Sequence, residues 1–132
     1  MHLDPRWSHE AALENEAVSA SKARRFVSFH LAEHRLSYLA DDMRLVASEL
    51  ATNAMTHART PFTVGLADAG ESVLLTVRDG SLALPHEVSA SVRDTHGRGL
   101  AVVGLLCRDW GVTTGPEASK VVWASFPTRA RW

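Results

Sequence analysis

The chain has 132 residues, 45% of them hydrophobic, and a formal net charge of -1. That is enough chain for one buried core and too little for two domains, and the near-neutral charge excludes a bulk electrostatic pull toward nucleic acid. The single cysteine, Cys107, excludes an internal disulfide and fits a reducing compartment. No run is long or apolar enough to span a membrane, and the N-terminus carries no apolar signal segment, so a cytoplasmic chain is the expectation.

Residues 1–15 are polar, interrupted by Pro5, and show no firm period. They read as a loosely ordered lead-in to a single domain at 16–132. From about residue 16 to 36 the pattern is helical, with Phe26, Val27 and Leu31 sharing a face with His30 and His34. A histidine pair four residues apart can hold a metal, but no third ligand lies nearby in the sequence. Histidines at the boundary of the core are therefore expected. Lys22, Arg24 and Arg25 read as a solvated helix face. Residues 37–40 form a connector, and Asp41 and Asp42 suit the first turn of a second helix, which runs to about residue 58 and stops before Pro61.

This second helix carries the most informative stretch, Glu49-Leu50-Ala51-Thr52-Asn53-Ala54-Met55-Thr56-His57-Ala58. Three positions four apart fall within roughly 80° of helical arc, so Glu49, Asn53 and His57 line one stripe. Met43, Val46, Ala47, Leu50 and Ala54 form the adjoining apolar stripe and should face the core. A polar stripe at the edge of a buried face can floor a pocket. A carboxamide oxygen is a neutral, hard ligand for Mg²⁺, and a carboxylate one turn away can polarise an attacking hydroxyl or water. Taken alone, the segment reads equally well as a helix with polar residues on its exposed side.

Beyond Pro61 the period switches to two. Phe62, Val64 and Leu66 alternate with smaller or polar residues, Asp68-Ala69-Gly70-Glu71 supplies a turn, and Val73, Leu75 and Val77 alternate again, which predicts a β-hairpin. Residues 80–98 have no period and read as a surface loop. Residues 100–107 form a short apolar helix with Cys107 as a packed thiol. Residues 110–113 and 120–126 read as two closing strands around Gly115-Pro116. The order implies an α/β sandwich, with helices on one face of a mixed, largely antiparallel sheet.

Two further segments bear on chemistry. Val77-Arg78-Asp79-Gly80 ends a strand with a carboxylate that can accept from an exocyclic amine, and with a glycine that lets a flat ring approach the backbone. A solvent-facing turn Asp is the plainer alternative. Gly97-Arg98-Gly99-Leu100 places glycines at a helix start, where free N–H groups and the dipole suit phosphate, although any tight turn uses such a pair.

Together these segments resemble the histidine-kinase-like ATPase superfamily, whose nucleotide fold is the Bergerat fold, and most closely its anti-sigma-factor serine kinases and single-domain bacterial relatives. S-E-L-A-T-N-A-M-T-H-A is similar to the family's asparagine box, V-R-D-G-S to its first glycine box and H-G-R-G-L-A-V-V to its second. S-K-V-V-W-A-S-F-P resembles its last strand. The likeness spans about residues 20–127. It implies that Asn53 coordinates the Mg²⁺ bridging the ATP phosphates and that Glu49 is the general base. It implies that Asp79 reads the adenine amine with Gly80 giving the ring room, and that Gly97, Arg98, Gly99 and Leu100 meet the phosphates at a small lid. Lys120 stands where relatives often carry a lysine, either near the phosphates or as a solvated turn residue, and His57 supports the asparagine helix.

The chain departs from the pattern at Ser81, where a second glycine is usual, and at Val121, where a Thr commonly follows the lysine. The N-terminal strand of the family is not evident in residues 1–7. The function implied is an ATP- and Mg²⁺-dependent regulatory serine kinase. It would bind a sigma factor and phosphorylate a small antagonist (anti-anti-sigma) protein, without direct nucleic-acid or membrane contact; a homodimer is compatible with it. The alternative is a nucleotide-binding interaction module without useful transfer activity.

Overall fold

The computed structural model describes residues 6–58, 60–80, 103–114 and 119–128. In chain order these form β1 (Ser8–Leu13), α1 (Val18–Glu33), a 3₁₀ turn (Ser37–Leu39), α2 (Ala40–His57), β2 (Phe62–Asp68), β3 (Ser72–Asp79), β4 (Asp109–Thr114) and β5 (Lys120–Pro127). The strands make one sheet in the order β1-β2-β3-β5-β4, with every neighbouring pair antiparallel. Residues 103–106 are also helical. No helix among the described residues is long and apolar enough to cross a membrane.

Alternation along the strands decides which face is covered. Phe62, Val64 and Leu66 of β2, Val73, Leu75 and Val77 of β3, and Val122, Ala124 and Phe126 of β5 are buried in one core. The helices complete it with Ala23, Val27 and Leu31 of α1 and Met43, Val46, Ala47, Leu50, Ala51 and Ala54 of α2. The expected sandwich, with helices on one face of an antiparallel sheet, is therefore the fold. On the other face the Trp123 indole lies across its cross-strand neighbour Gly111, where a Cβ would come within 2.9 Å of the ring.

Three local features explain where the chain turns. The hairpin between β2 and β3 closes at Asp68, whose Oδ1 accepts from Gly70 N–H at 3.2 Å, and Gly70 takes φ 88°. An Asp two residues before a glycine that tolerates positive φ is a turn signal readable in the sequence. Helix α1 stops earlier than the expected 36. Its last carbonyls are taken by Leu36 N–H, which donates to Leu31 O at 2.8 Å, and by Arg35 N–H, which donates to Ala32 O at 3.2 Å. This is the 6→1 and 5→2 pattern that ends a helix on a left-handed residue. That residue is Arg35, at φ 61°, rather than a glycine, so the usual composition signal is absent. Packing of Leu36 against the core offsets the cost of about 1 kcal/mol for a side chain in that conformation.

The N-terminus is the main correction. Instead of a loose lead-in over 1–15, residues Ser8–Leu13 form an edge strand, paired from Ser8↔Ala67 to Leu13↔Phe62. Its exposure alternates, with His9, Ala11 and Leu13 half-buried toward the helices. Six residues rich in Ala and carrying His and Glu have little strand propensity of their own, and the ladder with β2 supplies what propensity does not.

The core makes one checkable statement about α2. Leu50 is fully buried between α2 and the sheet, so Leu50→Ala should cost about 2–5 kcal/mol. Urea unfolding would read this as a lower midpoint at unchanged slope, and an unshifted midpoint would contradict the packing.

Candidate functional site

Burial of the apolar stripe of α2 sets the rotation of the helix. Glu49, Asn53 and His57 are consequently all half-buried along its margin, as their spacing predicts. Beside them Arg24 Nη1 donates to Ser48 Oγ at 3.0 Å, tying α1 to α2. Arg24 is thus half-buried and engaged, not part of a solvated basic face.

A second group lies at one end of the sheet. Cross-strand pairing aligns Phe62 of β2, Asp79 of β3 and Lys120 of β5 in a single row. Asp79 and Lys120 point inward, with 3% and 4% of their surfaces exposed. Lys120 Nζ lies 3.5 Å from Asp79 Oδ2. Burial removes the solvent-exposed alternative for both residues. Asp79 is not a solvent-facing turn residue, and Lys120 is not a solvated turn lysine. The ammonium sits at the Asp79 end, on a buried carboxylate. The signal was available, because antiparallel neighbours oppose the last residue of one strand to the first of the next, but it needed the knowledge that β3 pairs with β5.

The two groups meet through the exit of α2. Gly80 N–H donates to Thr60 Oγ1 at 3.1 Å, so the residue after Asp79 is pinned three positions beyond His57. The nearest atoms that a Cβ on Gly80 would meet among the described residues are those of Thr60, at 3.7–3.9 Å, which is ordinary contact.

A cavity of about 550 Å³ opens at the same end, lined by Pro61, Thr63, Arg78, Asp79, Gly80, Ser119 and Val121. Thr63, Arg78 and Val121 belong to the sheet face away from the helices by strand alternation. Asn53 and Glu49 do not line this space, so it is not the pocket floored by α2. Gly97, Arg98, Gly99 and Leu100, and Ser81 with the loop that follows it, lie outside the described residues. Cys107 is half-buried. Burial pushes its thiol above the ordinary value, a backbone hydrogen bond opposes this, and Asp109 adds a lesser rise, which fits the expected packed thiol.

Comparison with known proteins gives a consistent picture. A family model for the histidine kinase-like ATPase domain matches residues 13–126. Among curated proteins, none matches. A crystal structure of the RsbU and RsbW domains of Rv1364c from Mycobacterium tuberculosis is similar, with a TM-score of 0.68 over 97% of this chain at 20% identity. At that identity the likeness is one of fold. The match covers 35% of the other chain, so this sequence spans about a third of its length.

The buried pair yields a prediction about stability. Removing the ammonium weakens the compensation of a buried carboxylate, so Lys120→Met should cost up to about 3–5 kcal/mol in chemical denaturation. Asp79→Leu combined with Lys120→Met should recover most of that loss, because two apolar residues leave nothing to compensate. A single variant as stable as the parent would show that the pair is not closed in solution.

Proposed function

Because this chain belongs to the histidine kinase-like ATPase domain family, we propose that it binds ATP with Mg²⁺ and acts as a regulatory serine kinase of the anti-sigma-factor type. Its substrate would be a small antagonist protein and its other partner a sigma factor, both in the cytoplasm. The likeness to a fold that includes an RsbW domain supports the choice within the family. The observation that carries the reading is the bond from Gly80 N–H to Thr60 Oγ1. It joins the Asp79-Gly80 segment to the exit of the helix that bears Glu49 and Asn53, so base recognition and phosphate chemistry can serve one nucleotide.

The donor set fits the metal. Asn53 and Glu49 are half-buried one turn apart on the same stripe, offering one neutral amide oxygen and one carboxylate. An ion that keeps most of its shell as water and phosphate oxygen needs no more from the protein. When bound, Mg²⁺ neutralises charge on the phosphates. Asn53 would hold it, and Asp79 would accept from the adenine amine. Glu49 would orient the acceptor serine hydroxyl and take its proton as the new oxygen–phosphorus bond forms and ADP departs. Gly97, Arg98, Gly99 and Leu100 complete the proposal as phosphate contacts.

One observation favours the second reading, a nucleotide-binding interaction module without transfer. Asp79 already holds the Lys120 ammonium at 3.5 Å, which competes with an incoming amine for the same carboxylate. Val121, in place of a threonine able to hydrogen-bond, points the same way.

Two measurements separate these readings. Asn53→Ala should weaken ATP binding roughly tenfold, about 1.4 kcal/mol, with Mg²⁺ present, and far less in EDTA. Equal losses in both conditions would assign Asn53 to the helix or to the nucleotide itself. Glu49→Gln keeps size and polarity but removes the base, so ATP affinity should hold or rise while phosphotransfer falls by about 10²–10⁴. Transfer at the parental rate would remove Glu49 from the mechanism, and binding without transfer by the parent would establish the interaction module.

A further inference from the structure

The strand that the sequence concealed brings a third imidazole to the histidine pair of α1. His9 projects from β1 onto the last turn of α1, where the segment His30-Leu31-Ala32-Glu33-His34 sets two histidines four residues apart with a carboxylate between them. This H-x-x-E-H spacing puts both imidazoles on one helix face, an arrangement that helical zinc sites use. His9 Nε2 lies 2.9 Å from His34 Nε2 and 3.9 Å from Glu33 Oε1, and His30 Nδ1 lies 2.6 Å from Glu33 Oε1. The donor atoms of His9, His30 and Glu33 all fall within 4.8 Å of one another.

Hydrogen bonding and stacking alone could account for part of this cluster. The His34 ring stacks on Trp7 at 3.9 Å and the His9 ring on His30 at 3.9 Å, while Phe26 and Phe29 meet His30 edge-on. Stacking, however, does not call for a carboxylate oxygen reaching toward nitrogens of both His9 and His30. A tetrahedral ion with bonds of about 2.0–2.2 Å holds its donor atoms about 3.3 Å apart. The separations of 2.6 Å from His30 to Glu33 and 3.9 Å from His9 to Glu33 bracket that value, so the carboxylate and the two imidazoles stand near the spacing that an ion needs.

The electrostatics agree. The turn that carries His30 and Glu33 is the C-terminal end of α1, where the helix dipole is negative and favours a cation.

We propose that His9, His30 and Glu33 bind a divalent transition-metal ion, with Zn²⁺ the best fit to the donor set. The site is separate from the nucleotide chemistry assigned to α2. Imidazole nitrogen favours zinc and its neighbours in the first row, whereas Mg²⁺ takes oxygen. The ion would fasten the edge strand β1, which among the described residues pairs with β2 alone, to the helix layer.

The test uses the full chain, freed of any histidine tag, stripped with EDTA and titrated with Zn²⁺ in excess Mg²⁺ without nucleotide. Calorimetry should show one Zn²⁺ per chain. Co²⁺ in its place should give the intense visible absorption of a tetrahedral site, and amide exchange across residues 8–13 should slow on metal addition. His9→Asn and Glu33→Gln should each weaken Zn²⁺ binding at least about tenfold. Glu33 is 43% exposed at its side chain, so that variant keeps the fold. Glu10→Gln, on the opposite face of the same strand, should leave binding unchanged. Absence of saturable uptake, or uptake undiminished in both ligand variants, would overturn the site whether or not the chain binds ATP.

Discussion

Burial of one stripe of α2 is the constraint on which the rest of the molecule depends. Met43, Val46, Ala47, Leu50 and Ala54 are all removed from water against β2, β3 and β5. Each large side chain so buried contributes about 1.5–3 kcal/mol relative to exposure. Rotating the helix by even one residue would forfeit several such contributions at once. The rotation is therefore held firmly, and the half-buried positions of Glu49, Asn53 and His57 follow from it. Placement of the polar stripe is a by-product of packing, which is why a site can be as rigid as a core without being part of it.

At the other end of the same layer, the ladder performs the equivalent task for Asp79. Pairing of β3 between β2 and β5 sets Phe62, Asp79 and Lys120 side by side. Alternation then turns both charged groups inward, where they lie 3.5 Å apart. Such a pair is worth little net stability, so its position is set by the strand pairing that builds the sheet.

Two elements show where sequence patterns stop being informative. The Schellman-type end of α1 at Arg35 lacks the glycine that marks most such ends, so the helical period in the sequence runs on to Leu36. Strand β1 has alternation without propensity. Its partner lies about fifty to sixty residues away, in β2, and only the ladder makes the segment extended. The histidine pair of α1 was legible at its spacing, but its third imidazole was hidden for the same reason.

What the sequence determined by itself is what local periodicity can encode. This comprises the two long helices, the hairpin with its Asp68-Ala69-Gly70 turn, the two closing strands, the α2 stripe with Glu49 and Asn53, and the motifs that resemble the ATPase family. Tertiary structure alone decided the order β1-β2-β3-β5-β4, the burial of Lys120 against Asp79, the bond between Gly80 and Thr60, and the meeting of His9 with His30, Glu33 and His34. Periodicity specifies which face of an element is apolar, because side-chain direction repeats within a few residues. It does not specify which element will cover that face, because the free energy of pairing is shared between segments far apart in the chain.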